Sequence, residues 1–239
     1  AARVAGQLCL AARMSDSAQD VEAATRVDGT VAGAMASLHA DGTPMLNLAD
    51  VIRRRAAATP HALAVRDASG EITYAELDRR SNQVAAWLSR SGVQRADRVA
   101  LLCGNSTVVF EVLFGAAKIG AITVILNNRL SSGEVAAILT DAEPAVLIVD
   151  RAGRSLVGST GTASGGCSVV TFGTGEFEAL RDAASTIDTG YCPEADDTAL
   201  VLYSSGTTGI AKGIELTGRN LSAAMTFLNR GIELDERSV

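Results

Sequence analysis

Residues Ala199 to Gly213 read ALVLYSSGTTGIAKG. Ala199 to Tyr203 is an apolar run of strand length. Behind it come two glycines three apart, Gly206 and Gly209, and four hydroxyl side chains, Ser204, Ser205, Thr207 and Thr208, before Lys212 and Gly213. Glycines let a backbone take positive φ and come close to a ligand. Successive amides in such a turn form an anion-binding nest. Hydroxyls and a lysine add further donors and a positive charge. These are the requirements of a polyphosphate. The pattern is not the Walker loop, because Lys212 is followed by Gly213 instead of Ser or Thr and is not preceded by glycine. A different nucleotide fold is implied.

Moving toward the N-terminus, apolar runs and helical periods alternate. Strands are expected at Val99 to Cys103, Ile122 to Leu126, Ala145 to Asp150 and Ser168 to Phe172. Helices are expected at Ser106 to Ile119, from Ser131 to Thr140, and at Glu176 to Ala184. Ser131 and Glu134 have capping-box spacing, in which hydroxyl and carboxylate satisfy open amides at a helix start. Arg151 to Gly166 is Gly/Ser/Thr-rich and reads as an exposed, mobile loop. The alternation predicts an α/β fold, a mostly parallel sheet flanked by helices.

Ahead of this region, Leu48, Val51, Ile52 and Ala56 follow helical spacing until Thr59 and Pro60. Ala62 to Arg66 and Glu71 to Thr73 read as a hairpin. Thr73 and Glu76 offer another capping box, with Leu77, Val84, Trp87 and Leu88 on one face of the helix behind it, until Gly92. Residues 1–44 show no sustained period and are treated as an irregular extension. Residues 45–239 form the expected domain.

The chain has 239 residues, 47% of them hydrophobic, so it has material for a substantial core. With 21 Lys+Arg against 27 Asp+Glu and no basic run, a nucleic-acid partner is not expected. Cys9, Cys103, Cys167 and Cys192 never form a CxxC, which suggests neither a zinc site nor a disulfide framework but unpaired thiols in a reducing, cytoplasmic compartment. Two histidines, His39 and His61, leave little for a His-based triad or metal site. Val108 to Leu126 is apolar and long enough for a bilayer. Glu111, Lys118 and Gly120 interrupt it, so it reads as a buried helix running into a buried strand, with no transmembrane segment. Trp87 is expected in the core, Glu76 as a cap, Arg129 as a loop residue and Cys103 as a buried small hydrophobe.

The segment Tyr203 SSGTTGIAKG followed by Leu216 TGRNL resembles the signature loop of the adenylate-forming, AMP-binding superfamily, close to [YFL]TSGTTGxPKG and then LTHRNL. That superfamily includes acyl-CoA synthetases, adenylation domains of peptide synthetases and luciferases. ITYAEL, Ile72 to Leu77, resembles an early core motif of the family. Lys118 to Asp150 is similar to the acyl-CoA synthetase version KxGAxxxxLNxRL, with Asn127, Arg129 and Leu130 in place. The resemblance spans about Leu46 to Glu236 in family order.

The resemblance implies a ligase in which ATP and a small-molecule carboxylic acid, fatty or other acyl, give an acyl adenylate and pyrophosphate. Coenzyme A then takes the acyl group. Preorganised donors facing the leaving pyrophosphate are the catalytic contribution such chemistry asks for. By resemblance, Ser205, Gly206, Thr207, Thr208, Gly209 and Lys212 embrace the β and γ phosphates, with Lys212, Thr207 and Thr208 as catalytic candidates. Ser204 and Gly213 shape the loop. Mg²⁺ is held largely by phosphate oxygens and water, so no protein metal ligand is assigned.

Two departures from the family pattern matter. Ala211 replaces the usual proline, giving up a fixed φ at about 0.4–1 kcal/mol. Gly218 replaces a histidine near where nucleotide and acyl pocket would meet. The family's downstream YGxTE-like segment, TGD aspartate, hinge and C-terminal domain with the catalytic lysine are not found in this sequence. The chain is therefore expected to be the front part of such an enzyme, inactive alone, with a possible partner supplying the remainder of the fold. The alternatives are a non-catalytic remnant of the family or part of a peptide-synthetase adenylation domain.

Overall fold

The fold is taken from a computed structural model, which describes residues 47–157, 167–204 and 211–231. The proposed extension, residues 158–166 and residues 205–210 lie outside the described residues. In chain order the elements are α1 (Leu48–Ala58), β1 (Leu63–Asp67), β2 (Gly70–Thr73), α2 (Tyr74–Arg90), β3 (Arg98–Leu102), α3 (Thr107–Ala117), β4 (Ile122–Leu126) and α4 (Ser132–Ala142). Next come β5 (Val146–Val149), α5 (Arg151–Val157), β6 (Ser168–Thr171), α6 (Glu176–Asp182), β7 (Thr198–Ser204), β8 (Lys212–Thr217) and α7 (Gly218–Gly231).

Six strands form one sheet in the order β6-β5-β3-β4-β7-β8, while β1 and β2 make a separate antiparallel hairpin. β3 to β7 are parallel, and β8 runs antiparallel to β7. Both faces are covered, because successive strand residues point to opposite sides. Val99, Leu101, Val146 and Ile148 pack with Val84 and Trp87 of α2 and Val112 of α3. Ala100, Leu102, Leu147 and Val149 pack with Val135, Ile138 and Leu139 of α4 on the other face. The mostly parallel α/β fold is as expected. α1 and the hairpin add a third cluster, in which Ile52, Tyr74 and Leu77 meet Phe114 and Leu200.

Val108 to Leu126 is indeed a buried helix followed by a buried strand, and its two charges are neutralised in place. Glu111, fully buried, accepts from Arg80 at 3.0 Å and from Arg181 at 2.8 Å. The fully buried Lys118 donates to Asp78 at 2.6 Å and to Asn82 at 2.5 Å. Gly120 takes φ +71, a left-handed turn out of α3, and the ring of Tyr191 lies where a Cβ would be 2.9 Å away. Among the described residues no helix is long and apolar enough to cross a membrane.

Some expectations need correction. Arg151–Val157 is helix α5, not loop. The cause is Asp150: its carboxylate accepts from the Gly153 amide at 2.7 Å and its carbonyl accepts from Arg154 N at 2.9 Å, which is helix capping. Gly153 is needed there, since a Cβ would fall 2.2 Å from the carbonyl oxygen of Leu102. The Ser131/Glu134 capping box forms in full. At Thr73 only half forms: Glu76 N donates to Thr73 Oγ1, but the Glu76 carboxylate turns to Arg79 and Arg80 at 2.7 and 2.6 Å. Hydrogen bonding from Arg79, then from Arg80, overcomes burial and draws that carboxyl down to about 2.

Candidate functional site

β7 reaches the carboxyl end of the parallel sheet at Ser204, and the chain returns as β8. The register sets Tyr203 opposite Gly213 and Ser204 opposite Lys212. Ligands of open α/β sheets collect at this end of the strands. The chain therefore leaves the sheet at Ser204 and rejoins it at Lys212 at the end where a ligand site is expected on topological grounds. Ser205, Gly206, Thr207, Thr208 and Gly209 lie outside the described residues. Ser204, Lys212 and Gly213 are described and exposed. Lys212 is not a loop residue, as its place in the motif suggests, but the first residue of β8. Antiparallel pairing thus brings it level with Ser204. Among the described residues no hydrogen bond or ion pair engages the Lys212 ammonium group, which is exposed.

Both arms of the turn rest on the cluster beneath α4. Tyr203 from β7 and Ala211 just before β8 pack, half-buried, against its apolar residues. The Tyr203 hydroxyl donates to Oδ2 of Asp141, near the end of α4, at 2.5 Å. Burial and then the Asp141 carboxylate push the Tyr203 phenol well above its ordinary range, so it is a neutral donor. Opposite it, a Cβ on Gly213 would come within 3.3 Å of the Tyr203 ring. The glycine makes room for the ring. At Gly218 a Cβ would sit 3.3 Å from the Ala195 carbonyl oxygen, and Gly218 N donates to Asp197 O at 3.2 Å. The start of α7 is therefore held close to the segment that precedes β7.

A second feature of the same sheet end is one that sequence reasoning misses. β3 and β5 are neighbours whose onward chains leave on opposite faces, α3 on one and α5 on the other. The Asp150 carboxylate closes this point, accepting from Gly104 N at 2.9 Å as well as from Gly153 N. An aspartate directly after an apolar strand and three residues before a glycine is the available signal. Arg129, expected in a loop, lies in the exposed turn after β4, where its amide donates to Asn127 Oδ1 at 3.0 Å.

A doubly covered, mostly parallel sheet whose fifth parallel strand ends where a glycine- and hydroxyl-rich stretch begins defines an α/β protein of the open-sheet class, which collects ligands at its strand ends. The chain belongs to the AMP-binding enzyme family, which matches residues 52–239. It is 35% identical over 188 residues to a feruloyl-CoA synthase from Amycolatopsis sp, covering 78% of this chain and 37% of that protein. It is 33% identical over 185 residues to the long-chain-fatty-acid–CoA ligase FadD13 of Mycobacterium tuberculosis, covering 75% and 37%. Among solved structures it resembles ATP-bound MatB from Rhodopseudomonas palustris, with a TM-score of 0.67, 32% identity, and coverage of 77% of this chain and 38% of that one. The chain thus spans little more than a third of the length of these relatives.

Proposed function

We propose that the chain is the N-terminal portion of an ATP-dependent acyl-CoA ligase and that its Ser204–Gly213 unit binds the β and γ phosphates of ATP. Residues 45–239 are the front of the adenylation domain and residues 1–44 an extension. The carrying observation is the pairing of Ser204 with Lys212 at the carboxyl end of the parallel sheet, with the Lys212 charge unengaged among the described residues. Family membership and the ligase names of the relatives support the same reading.

In this reaction a carboxylate oxygen attacks the α-phosphorus of ATP. The bond from that phosphorus to the bridging oxygen breaks, and pyrophosphate leaves with the electron pair. Negative charge grows on the leaving group, so its stabilisation is where binding energy accelerates the step. The Lys212 ammonium meets that charge, the hydroxyls of Ser205, Thr207 and Thr208 donate to the phosphate oxygens, and the amides of Gly206 and Gly209 complete the nest. Mg²⁺ would be carried by the nucleotide and not by a side chain of this site, and the chemistry it would supply is neutralisation of part of the phosphate charge. The thiol of coenzyme A then attacks the acyl carbonyl, AMP departs and the thiol proton passes to solvent. A cytoplasmic setting belongs to the same reading. The LNNRL form at Leu126 to Leu130 favours a CoA ligase over a peptide-synthetase domain.

ATP–pyrophosphate exchange with a panel of long-chain, aryl and short-chain acids, run on the polypeptide at its full encoded length, tests the proposal. Acid-dependent exchange that Lys212→Ala slows far more than it slows thiol transfer is the expected result. Exchange with none of the acids, or equal slowing of both half-reactions, contradicts it.

A further inference from the structure

We infer that Tyr203 is a positioning residue: its contacts with Asp141 and Gly213 form a brace that sets where Lys212 stands relative to Ser204. The inference deepens the polyphosphate reading and rests on it for its functional consequence. Tyr203 and Gly213 are cross-strand partners one step from the Ser204 and Lys212 pair. The Tyr203 ring lies against Gly213 so closely that a Cβ there would press on it at 3.3 Å, and its hydroxyl is fixed by Asp141 at 2.5 Å. Three elements meet at one side chain: β7 through its own backbone, β8 through the ring on Gly213, and α4 through Asp141. β8 pairs with no other strand among the described residues. A strand paired on one side only has backbone freedom that its neighbour must restrict, and the Tyr203 ring supplies that restriction next to Lys212.

The brace makes a demand that a merely space-filling tyrosine would not. The ring alone is insufficient, because without the hydroxyl contact it can rotate away from Gly213. Tyr203→Phe and Asp141→Ala should therefore act alike, the double variant should be no worse than either single one, and Asp141→Asn, which keeps an acceptor oxygen, should restore most of the effect. This is the non-additivity expected of groups acting as one unit.

The test uses two readouts on the full chain. Amide NMR reports position: Tyr203→Phe and Asp141→Ala are expected to shift the Ser204, Lys212 and Gly213 resonances in the same direction, leaving those of β3 in place. Titration with inorganic pyrophosphate reports consequence: both variants are expected to bind about threefold to tenfold more weakly than wild type, the range of one hydrogen bond, with Asp141→Asn near wild type. Absence of the common resonance shift overturns the brace whatever the binding result. So does unchanged pyrophosphate affinity when wild type binds. Shifts without any binding by wild type leave the brace standing and overturn the polyphosphate reading. Asp141 is exposed, so its variants remain informative even if a substitution at Tyr203 disturbs folding.

Discussion

Arg53 and Asp188, 135 positions apart, form a two-point ion pair in which Nε donates to Oδ2 at 2.9 Å and Nη2 to Oδ1 at 2.6 Å. Oδ2 of the same carboxylate stands 3.3 Å from Nζ of the buried Lys118. The segment between α6 and β7 is thereby tied to α1 and to the end of α3, which fixes the chain's approach to β7 and its turn. Thr189 adds to the tie by donating its hydroxyl to the Lys118 carbonyl.

Asp188→Asn should cost about 1–3 kcal/mol at neutral pH, because it weakens a charge-assisted pair and leaves the buried Lys118 with less compensation. Burial by itself would raise the Asp188 carboxyl, but hydrogen bonds from Arg53 and Gly190 and the charges of Lys118 and Arg53 hold it well below the usual carboxylate range. A native value below the unfolded one, about 3.9, gives stability that is fully present above about pH 4 and lost as pH falls further. Urea unfolding as a function of pH should show a shallower acid limb in the variant. An acid limb identical to wild type contradicts the assignment.

Two glycines in helices should respond in opposite directions to alanine. At Gly115 in α3 a Cβ would lie 2.7 Å from Val84 Cβ and 2.9 Å from the Ser81 carbonyl oxygen, so α2 and α3 would have to separate. Gly115→Ala should lose about 1–3 kcal/mol to overpacking even though alanine favours helix. At Gly133 in the first turn of α4 nothing lies within 4 Å of the added Cβ. Gly133→Ala should gain about 0.4–1 kcal/mol. Denaturant midpoints of the two variants check both signs.

Thiol labelling should follow burial. Desolvation, reinforced by the charge of Asp150, pushes the Cys103 thiol up to about 12, so little nucleophilic thiolate exists at neutral pH. Cys192 is exposed, Cys167 buried and Cys103, expected to be buried, only half-buried at the edge of the core. With iodoacetamide at pH 8, peptide mass spectrometry should find Cys192 modified in the native protein, and Cys103 and Cys167 modified only in denaturant. Native labelling of Cys103 as fast as Cys192 would contradict its reading as an inert thiol.

Whether a feature can be read from the sequence depends on whether a residue's partners are near in the chain. Ile122 to Leu126 is a strand at the expected bounds, and the Ser131/Glu134 box forms as its spacing requires. Glu76 meets its capping expectation only in part because Arg79 and Arg80 compete for it on the next turn. α5 is hidden because its capping residue, Asp150, closes an apolar run and its own composition blends into the Gly/Ser/Thr stretch after it. β8 and α7 escape a motif-led reading, in which Lys212 looks like the end of a loop when it begins a strand. The sheet order, the Tyr203–Asp141 contact and the Arg53–Asp188 pair join distant positions, and no local pattern announces them.

If the turn between β7 and β8 receives a polyphosphate through Lys212, inorganic pyrophosphate should bind there without any other substrate. Calorimetric titration of pyrophosphate onto the chain, for wild type and Lys212→Ala at two salt concentrations, measures this. A single site in wild type is expected, weakened by salt and by about tenfold to a hundredfold on loss of the lysine charge. No binding by wild type, or equal affinity in the two proteins, would contradict a polyphosphate site built on Lys212.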